Sequence, residues 1–188
     1  WYGPVFTAMR QAIVDGAIES VCWPQCMIRT RNQAQADAGG RVFLSGRSPA
    51  FVTNLLLKYQ EILAGKAAIK SRPTSLAFGP TFSCNNRCRM CHSVPERARG
   101  KTAELEPAFY DEVRESLLPY LSDLHVSGPG EPLLSRPFVD FLLRTEWRRF
   151  PDVRIQLTTN GVLLRPELVE RLLEAPFGAF VVSLNAAT

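Results

Sequence analysis

Residues 74–91 read Thr-Ser-Leu-Ala-Phe-Gly-Pro-Thr-Phe-Ser-Cys-Asn-Asn-Arg-Cys-Arg-Met-Cys. An apolar, strand-like run (74–79) leads directly into Cys84, Cys88 and Cys91, spaced C-x3-C-x2-C. Three thiolates on one short loop can hold three corners of a cubic iron–sulfur cluster and leave the fourth iron without a protein ligand. The loop follows a strand, and parallel α/β enzymes place their chemistry at the C-terminal ends of strands. Structural zinc asks for a fourth ligand, and His92 stands too close behind Cys91 to close such a site comfortably. A ferredoxin-type centre also asks for a fourth cysteine, usually after a C-x2-C-x2-C run.

Downstream the pattern alternates between strand and helix. A helix is expected over about 107–121, opened by Pro107 and striped by Phe109, Val113, Leu117 and Leu121. A second strand at 123–127 ends in Gly128-Pro129-Gly130-Glu131-Pro132, and its helix carries Phe138, Phe141 and Leu142. A third strand at 153–158 ends in Thr159-Asn160-Gly161. Pro166 opens a helix striped by Leu168, Val169, Leu172 and Leu173, which leads to a fourth strand near 179–184. That order demands parallel strands joined by right-handed crossovers, an α/β fold.

At the cysteines the chain resembles the radical S-adenosylmethionine (radical SAM) superfamily, with Met90 where that signature usually carries an aromatic residue. Gly130-Glu131 resembles the superfamily's Gly-Gly-Glu segment, with Pro129 in place of a second glycine, and the resemblance assigns it to the methionyl amine of SAM. Thr158-Thr159-Asn160-Gly161 resembles a Thr-Asn-Gly that ends the third strand in many of these enzymes, although Asn-Gly is equally a routine turn. The fourth strand's polar tip, Ser183 and Asn185, falls where the family reaches the SAM ribose and carboxylate. The resemblance therefore implies a [4Fe–4S] cluster on Cys84, Cys88 and Cys91, with SAM held by Met90, Gly130, Glu131, Ser183 and Asn185. It also implies the first half of a (β/α)6 partial TIM-type barrel, reductive cleavage of SAM to a 5′-deoxyadenosyl radical, and an electron donor such as flavodoxin or ferredoxin. No residue is singled out as catalytic, and a peptide and a small molecule both remain open as substrate.

Upstream, Pro4 opens a helix with Val5, Met9, Ala12 and Ile13 on one stripe, stopped at Asp15-Gly16. Cys22 and Cys26, in Val-Cys-Trp-Pro-Gln-Cys, are a second metal candidate. With Trp1-Tyr2-Gly3-Pro4 they resemble the closing segment of a SPASM-type auxiliary cluster domain; zinc or plain buried thiols are the other readings. Residues 30–47 are polar and Gly-rich and read as linker. Ser48-Pro49 caps a helix through Phe51, Leu55, Leu56, Tyr59 and Leu63, and Lys66–Pro73 reads as a basic hinge. The expected division is thus 1–47 as a cysteine-containing helical appendage, 48–73 as connecting helix and hinge, and 74–188 as half of the core domain. Both ends read as cut from a longer polypeptide.

With 46% hydrophobic and 21% charged residues the chain is composed like a folded globular protein. Of its 22 basic residues 18 are arginine, and Arg87, Arg89, Arg97, Arg99 and Lys101 crowd the cysteine loop. No aromatic residues interleave with them, which argues against nucleic acid and for compensation of an anionic cluster and substrate. No run approaches the ~20 apolar residues of a membrane span. Five cysteines suit a three-plus-two ligand count better than disulfides, so a reducing, cytoplasmic setting is expected. A non-catalytic iron–sulfur electron-transfer or scaffold protein is the alternative, and a zinc-stabilised interaction module a third. His92 and His125 read as structural.

Overall fold

The computed structural model describes residues 3–15, 17, 46–100 and 102–184. Cys22, Cys26, Lys101, Asn185 and most of the expected linker lie outside them. The chain divides into two compact units, Trp1–Arg72 and Pro73–Thr188.

The first unit contains α1 (Pro4–Val14) and α2 (Pro49–Leu63). Ser48 caps α2, its hydroxyl accepting from the Phe51 amide at 3.3 Å, and Pro49 supplies the first turn. Gly65, at φ +62°, turns the chain back. The segment expected to be a hinge is instead strapped to α2. The buried Asn54 accepts from the Arg72 amide (2.6 Å) and donates to the Arg72 carbonyl (3.1 Å). Glu61, only 2% exposed, accepts from the Lys70 and Ser71 amides at 2.6 and 3.1 Å. Burial alone would push the Glu61 carboxyl up. The Lys70 and Ser71 hydrogen bonds, with Lys66 nearby, outweigh it and hold the group below the ordinary carboxylate range.

The second unit is an α/β layer. Strands β1 (Ser75–Phe78), β2 (Asp123–Val126), β3 (Arg154–Thr159) and β4 (Phe177–Val182) form one parallel sheet in that spatial order. Each sequential pair is parallel, as the strand–helix alternation requires. The connections carry α3 (Val94–Ala98), α4 (Pro107–Glu112), α5 (Arg136–Arg144) and α6 (Pro166–Leu172). The helix expected to run regularly to 121 does not. After α4 it widens into a π turn (Val113–Leu117) and closes as a 3-10 turn (Leu118–Tyr120). Pro119 has no N–H with which to continue the α ladder.

One face of the sheet carries the core. Leu124, Val126, Ile155 and Leu157 are essentially inaccessible and pack with Tyr110, Val113, Phe138, Phe141 and Leu142 from the helices. Phe78 meets Phe109, Tyr110 and Phe138 edge-on at centroid distances of 5.2–6.1 Å. Full burial of each such side chain stabilises by about 1.5–3 kcal/mol. The alternate residues of the same strands, Ala77, His125, Gln156 and Thr158, stay exposed or half-buried on the opposite face. His125 Nδ1 and Gln156 Oε1 sit 2.8 Å apart there, at paired positions of β2 and β3. A parallel sheet normally has both faces covered. One helix-covered face and one polar, open face are the arrangement of a partial TIM-type barrel.

Candidate iron–sulfur and SAM site

The cysteine loop leaves the C-terminal end of β1 and returns to the segment just beyond it, residues 80–82. Its base is closed by a bridge between Thr81 and Glu104, with the Phe82 amide donating to Ala103 O (2.8 Å) and the Leu105 amide to Pro80 O (2.9 Å). Between these staples Cys84, Cys88 and Cys91 are of intermediate exposure, and none of the three is in a disulfide. Tight turns space them: the Cys91 amide donates to Cys88 O at 3.0 Å and the Val94 amide to Cys91 O at 3.2 Å.

The turn after β2 clamps this loop. The Glu131 amide donates to Ser83 O at 2.8 Å. At Gly130 an added Cβ would overlap the carbonyl oxygens of Thr81 and Ser83, so only glycine lets the two backbones meet. Gly128 and Gly79 approach each other in the same way, a Cβ on Gly79 lying 2.9 Å from the Gly128 Cα. All three glycines of this region, Gly79, Gly128 and Gly130, therefore answer to backbone packing on the approach to Cys84.

Glu131 is turned inward and is 2% exposed. Its Oε1 accepts from the Thr159 hydroxyl at 2.6 Å and the Leu133 amide at 3.2 Å; Oε2 accepts from the Asn160 amide at 2.7 Å. The carboxylate expected to meet the methionyl amine thus binds the end of β3. The exposed parts of the same turn are the backbone of Gly128 and the half-buried Pro129 and Gly130.

Asn160 gathers these contacts. Its side-chain amide donates to Asn85 Oδ1 (2.7 Å) and to Cys84 Sγ (3.8 Å), while its Oδ1 accepts from the Val162 amide (3.0 Å). Gly161 follows at φ +78°, the left-handed turn expected of Asn-Gly. Sequence reading treated Asn160 mainly as that turn. Its reach to a cysteine 76 positions away carries no local signal.

Asn160 also lines a cleft of about 530 Å³ with Asn86, Cys88, Arg89, Met90, Ser183 and Leu184. Ser183 arrives because its amide extends the β3–β4 pairing, donating to Thr159 O at 2.8 Å. Three expected site residues, Cys88, Met90 and Ser183, therefore share one cleft at the C-terminal rim. Gly130 and Glu131 do not line it; Glu131 touches a lining residue, Asn160, through that residue's backbone amide. His92 is exposed beside the loop.

No three His, Cys, Asp or Glu side chains among the described residues converge on a single ion position. A cubic cluster asks something different, since each thiolate meets its own iron. The surroundings of Cys84 suit a sulfur bearing negative charge: the Asn86 amide (3.4 Å) and the Asn160 side chain both donate to it. The donor set and its environment fit a cluster.

Residues 79–188 match the radical SAM superfamily profile. The chain belongs to the radical SAM superfamily. Among curated proteins it is 33% identical over 110 residues to the FeMo cofactor biosynthesis protein NifB of Klebsiella pneumoniae, covering 55% of this chain and 21% of that one. It is 34% identical over 125 residues to the AdoMet-dependent heme synthase of Methanosarcina barkeri, covering 64% and 33%. The chain therefore spans a third or less of these relatives. Two solved structures of BtrN share the fold. One, in complex with AdoMet and 2-DOIA, has a TM-score of 0.50, 24% identity and coverage of 61% of this chain and 47% of that chain. The other, an open conformation, has 0.51, 22%, 64% and 54%. The radical SAM fold explains why the cysteine loop, the turn after β2 and the ends of β3 and β4 meet on one rim. No helix among the described residues is long and apolar enough to cross a membrane.

Proposed function

We propose that this chain is the SAM-cleaving half of a radical SAM enzyme, with a [4Fe–4S] cluster held by Cys84, Cys88 and Cys91. The observation that carries the reading is the loop of three half-buried cysteines outside any disulfide, beside a cleft at the C-terminal rim of a radical SAM sheet. AdoMet in the names of the heme synthase and of the BtrN complex supports SAM as the second ligand. When bound, the cluster and SAM supply one-electron cleavage of the sulfonium and a 5′-deoxyadenosyl radical that abstracts hydrogen from a substrate.

The chain's own residues hold and orient these groups. The three thiolates leave one iron open for the amine and carboxylate of SAM. Met90 and Ser183, which line the same cleft as Cys88, form its walls toward the nucleoside. The backbone of Gly128–Gly130 is the exposed acceptor surface for the methionyl amine, and Glu131 fixes that turn from beneath. Arg89 offers the cleft a positive charge that suits the SAM carboxylate. Asn185 lies outside the described residues and keeps the SAM-contact role that the family resemblance gives it. The electron comes from a flavodoxin or ferredoxin, and a reducing, cytoplasmic compartment keeps the thiolates competent. Cys22 and Cys26 are assigned to a second iron–sulfur centre completed by further ligands. The substrate is a peptide or a small molecule.

The test is anaerobic reconstitution with iron and sulfide of the parent and of Cys84→Ala, Cys88→Ala and Cys91→Ala, followed by iron counting. The parent takes up a cluster absorbing near roughly 400 nm, typical of thiolate-ligated iron, and each variant loses it. A Cys88→Ala protein with full iron overturns the assignment. The electron-transfer or scaffold alternative would keep the cluster on these cysteines but show no change in its paramagnetic signal with SAM.

A further inference from the structure

We infer that Asn160 is a positioning residue for the cluster: its side-chain amide raises the cluster's reduction potential by donating to the Cys84 sulfur, and Glu131 holds it there. The inference rests on the cluster reading above and concerns a residue to which that reading gives no part.

Three observations converge on Asn160. Its Nδ2 lies 3.8 Å from Cys84 Sγ, within the longer range proper to sulfur acceptors. The same nitrogen is oriented by Asn85 Oδ1 at 2.7 Å, and Oδ1 is fixed by the Val162 amide at 3.0 Å, so the side-chain amide has a single orientation. Its backbone amide is held by Glu131 Oε2 at 2.7 Å, and the preceding Thr159 hydroxyl by Oε1 at 2.6 Å. A buried carboxylate with three acceptor bonds is thus committed to placing one loop residue whose far end points at a ligand sulfur.

The physical consequence follows from charge. Reduction adds an electron to the cluster, and part of the added charge resides on the thiolate sulfurs. An N–H directed at a sulfur stabilises the reduced state more than the oxidised one, which raises the potential. The Asn86 amide, 3.4 Å from the same sulfur, acts in the same sense but is backbone and cannot be removed by substitution. Asn160 is the part of this environment that a side-chain change can tune.

The experiment is a reductive titration of the reconstituted protein, monitored by the paramagnetic signal of the reduced cluster, for the parent, Asn160→Ala and Asn160→Asp. Asn160→Asp keeps an oxygen for the Val162 amide and deletes the N–H, so it preserves the turn. Asn160→Ala deletes the N–H without adding charge. With iron content equal to the parent's, Asn160→Ala should lower the equilibrium constant for one-electron reduction about tenfold, which is 59 mV. Asn160→Asp should lower it further. An unchanged potential in Asn160→Ala overturns the inference and leaves the cluster reading standing. Loss of iron from both variants in a folded protein also overturns it, since Asn160 is given no part in holding iron. A parent that takes up no cluster refutes both.

Discussion

Replacing Glu131 by Ala removes the carboxylate that joins the turn after β2 to the end of β3. Its two short bonds, to the Thr159 hydroxyl and the Asn160 amide at 2.6 and 2.7 Å, are each worth about 1.5–3 kcal/mol as hydrogen bonds to a charged group. The sum, about 3–6 kcal/mol, is reduced because the variant no longer buries a carboxylate and water can reach the half-buried Asn160 amide. A net local loss of about 2–4 kcal/mol remains, roughly a 30- to 700-fold increase in opening. Hydrogen–deuterium exchange read by mass spectrometry on peptides covering 81–92 and 154–162 measures it without assuming that a two-unit chain unfolds in one step. Glu131→Gln, which keeps the shape but sets a donor against one of the protein's N–H groups, should fall between Ala and the parent. Unchanged exchange in both segments would refute the strut assignment. If that came with a tenfold or greater loss of SAM affinity, Glu131 would return to the direct ligand role expected from its sequence context.

Gly130→Ala should force the cysteine loop away from the β2 turn, because the atoms in the way are backbone. A destabilisation of about 1–3 kcal/mol is expected, typical of overpacking, with lower iron uptake; a thermal midpoint equal to the parent's would contradict it. The Glu61 carboxyl has its folded-state pKa below the unfolded value of 4.5. Its contribution is therefore fully present above about 4.5 and is lost as pH falls through the folded pKa. The stability gap between the parent and Glu61→Gln, about 1–3 kcal/mol at neutral pH, should shrink below that pH, and a gap constant down to the acid limb would rule this out. Among the described residues strand β4 is one edge of the sheet and exposes Phe180, Val181 and Val182. Val181→Lys should reduce self-association in light scattering, whereas equal particle size would show that the edge is already protected.

Much of the fold was legible because it is written locally. The alternation of strand and helix around Leu76, Leu124, Ile155 and Val181, and the prolines at 49, 107 and 166, carry the strand order and helix starts in single stretches of chain. The cysteine spacing is equally local. What escaped is non-local or conformational. Glu131 follows a glycine at a rim and reads as an exposed ligand, yet its partners lie 28 and 29 positions away and are brought together only by the β2–β3 pairing. Asn160 reads as a turn because the Gly161 conformation explains it completely until Cys84 is beside it. The basic segment 66–72 reads as a hinge from its charges, but two polar side chains of α2, Asn54 and Glu61, supply acceptors that hold its backbone amides. The stripe Phe109, Val113, Leu117 and Leu121 reads as one regular helix, and the π turn at Val113–Leu117 carries no local signal against that reading.

The central claim is that SAM binds at the open iron of a cluster on Cys84, Cys88 and Cys91. Electron paramagnetic resonance of the reconstituted, reduced protein with and without saturating SAM tests it most directly. The account predicts that SAM changes the g-values of the reduced cluster, and that strong reductant then yields 5′-deoxyadenosine. A fully loaded cluster whose spectrum is identical with and without SAM would contradict it.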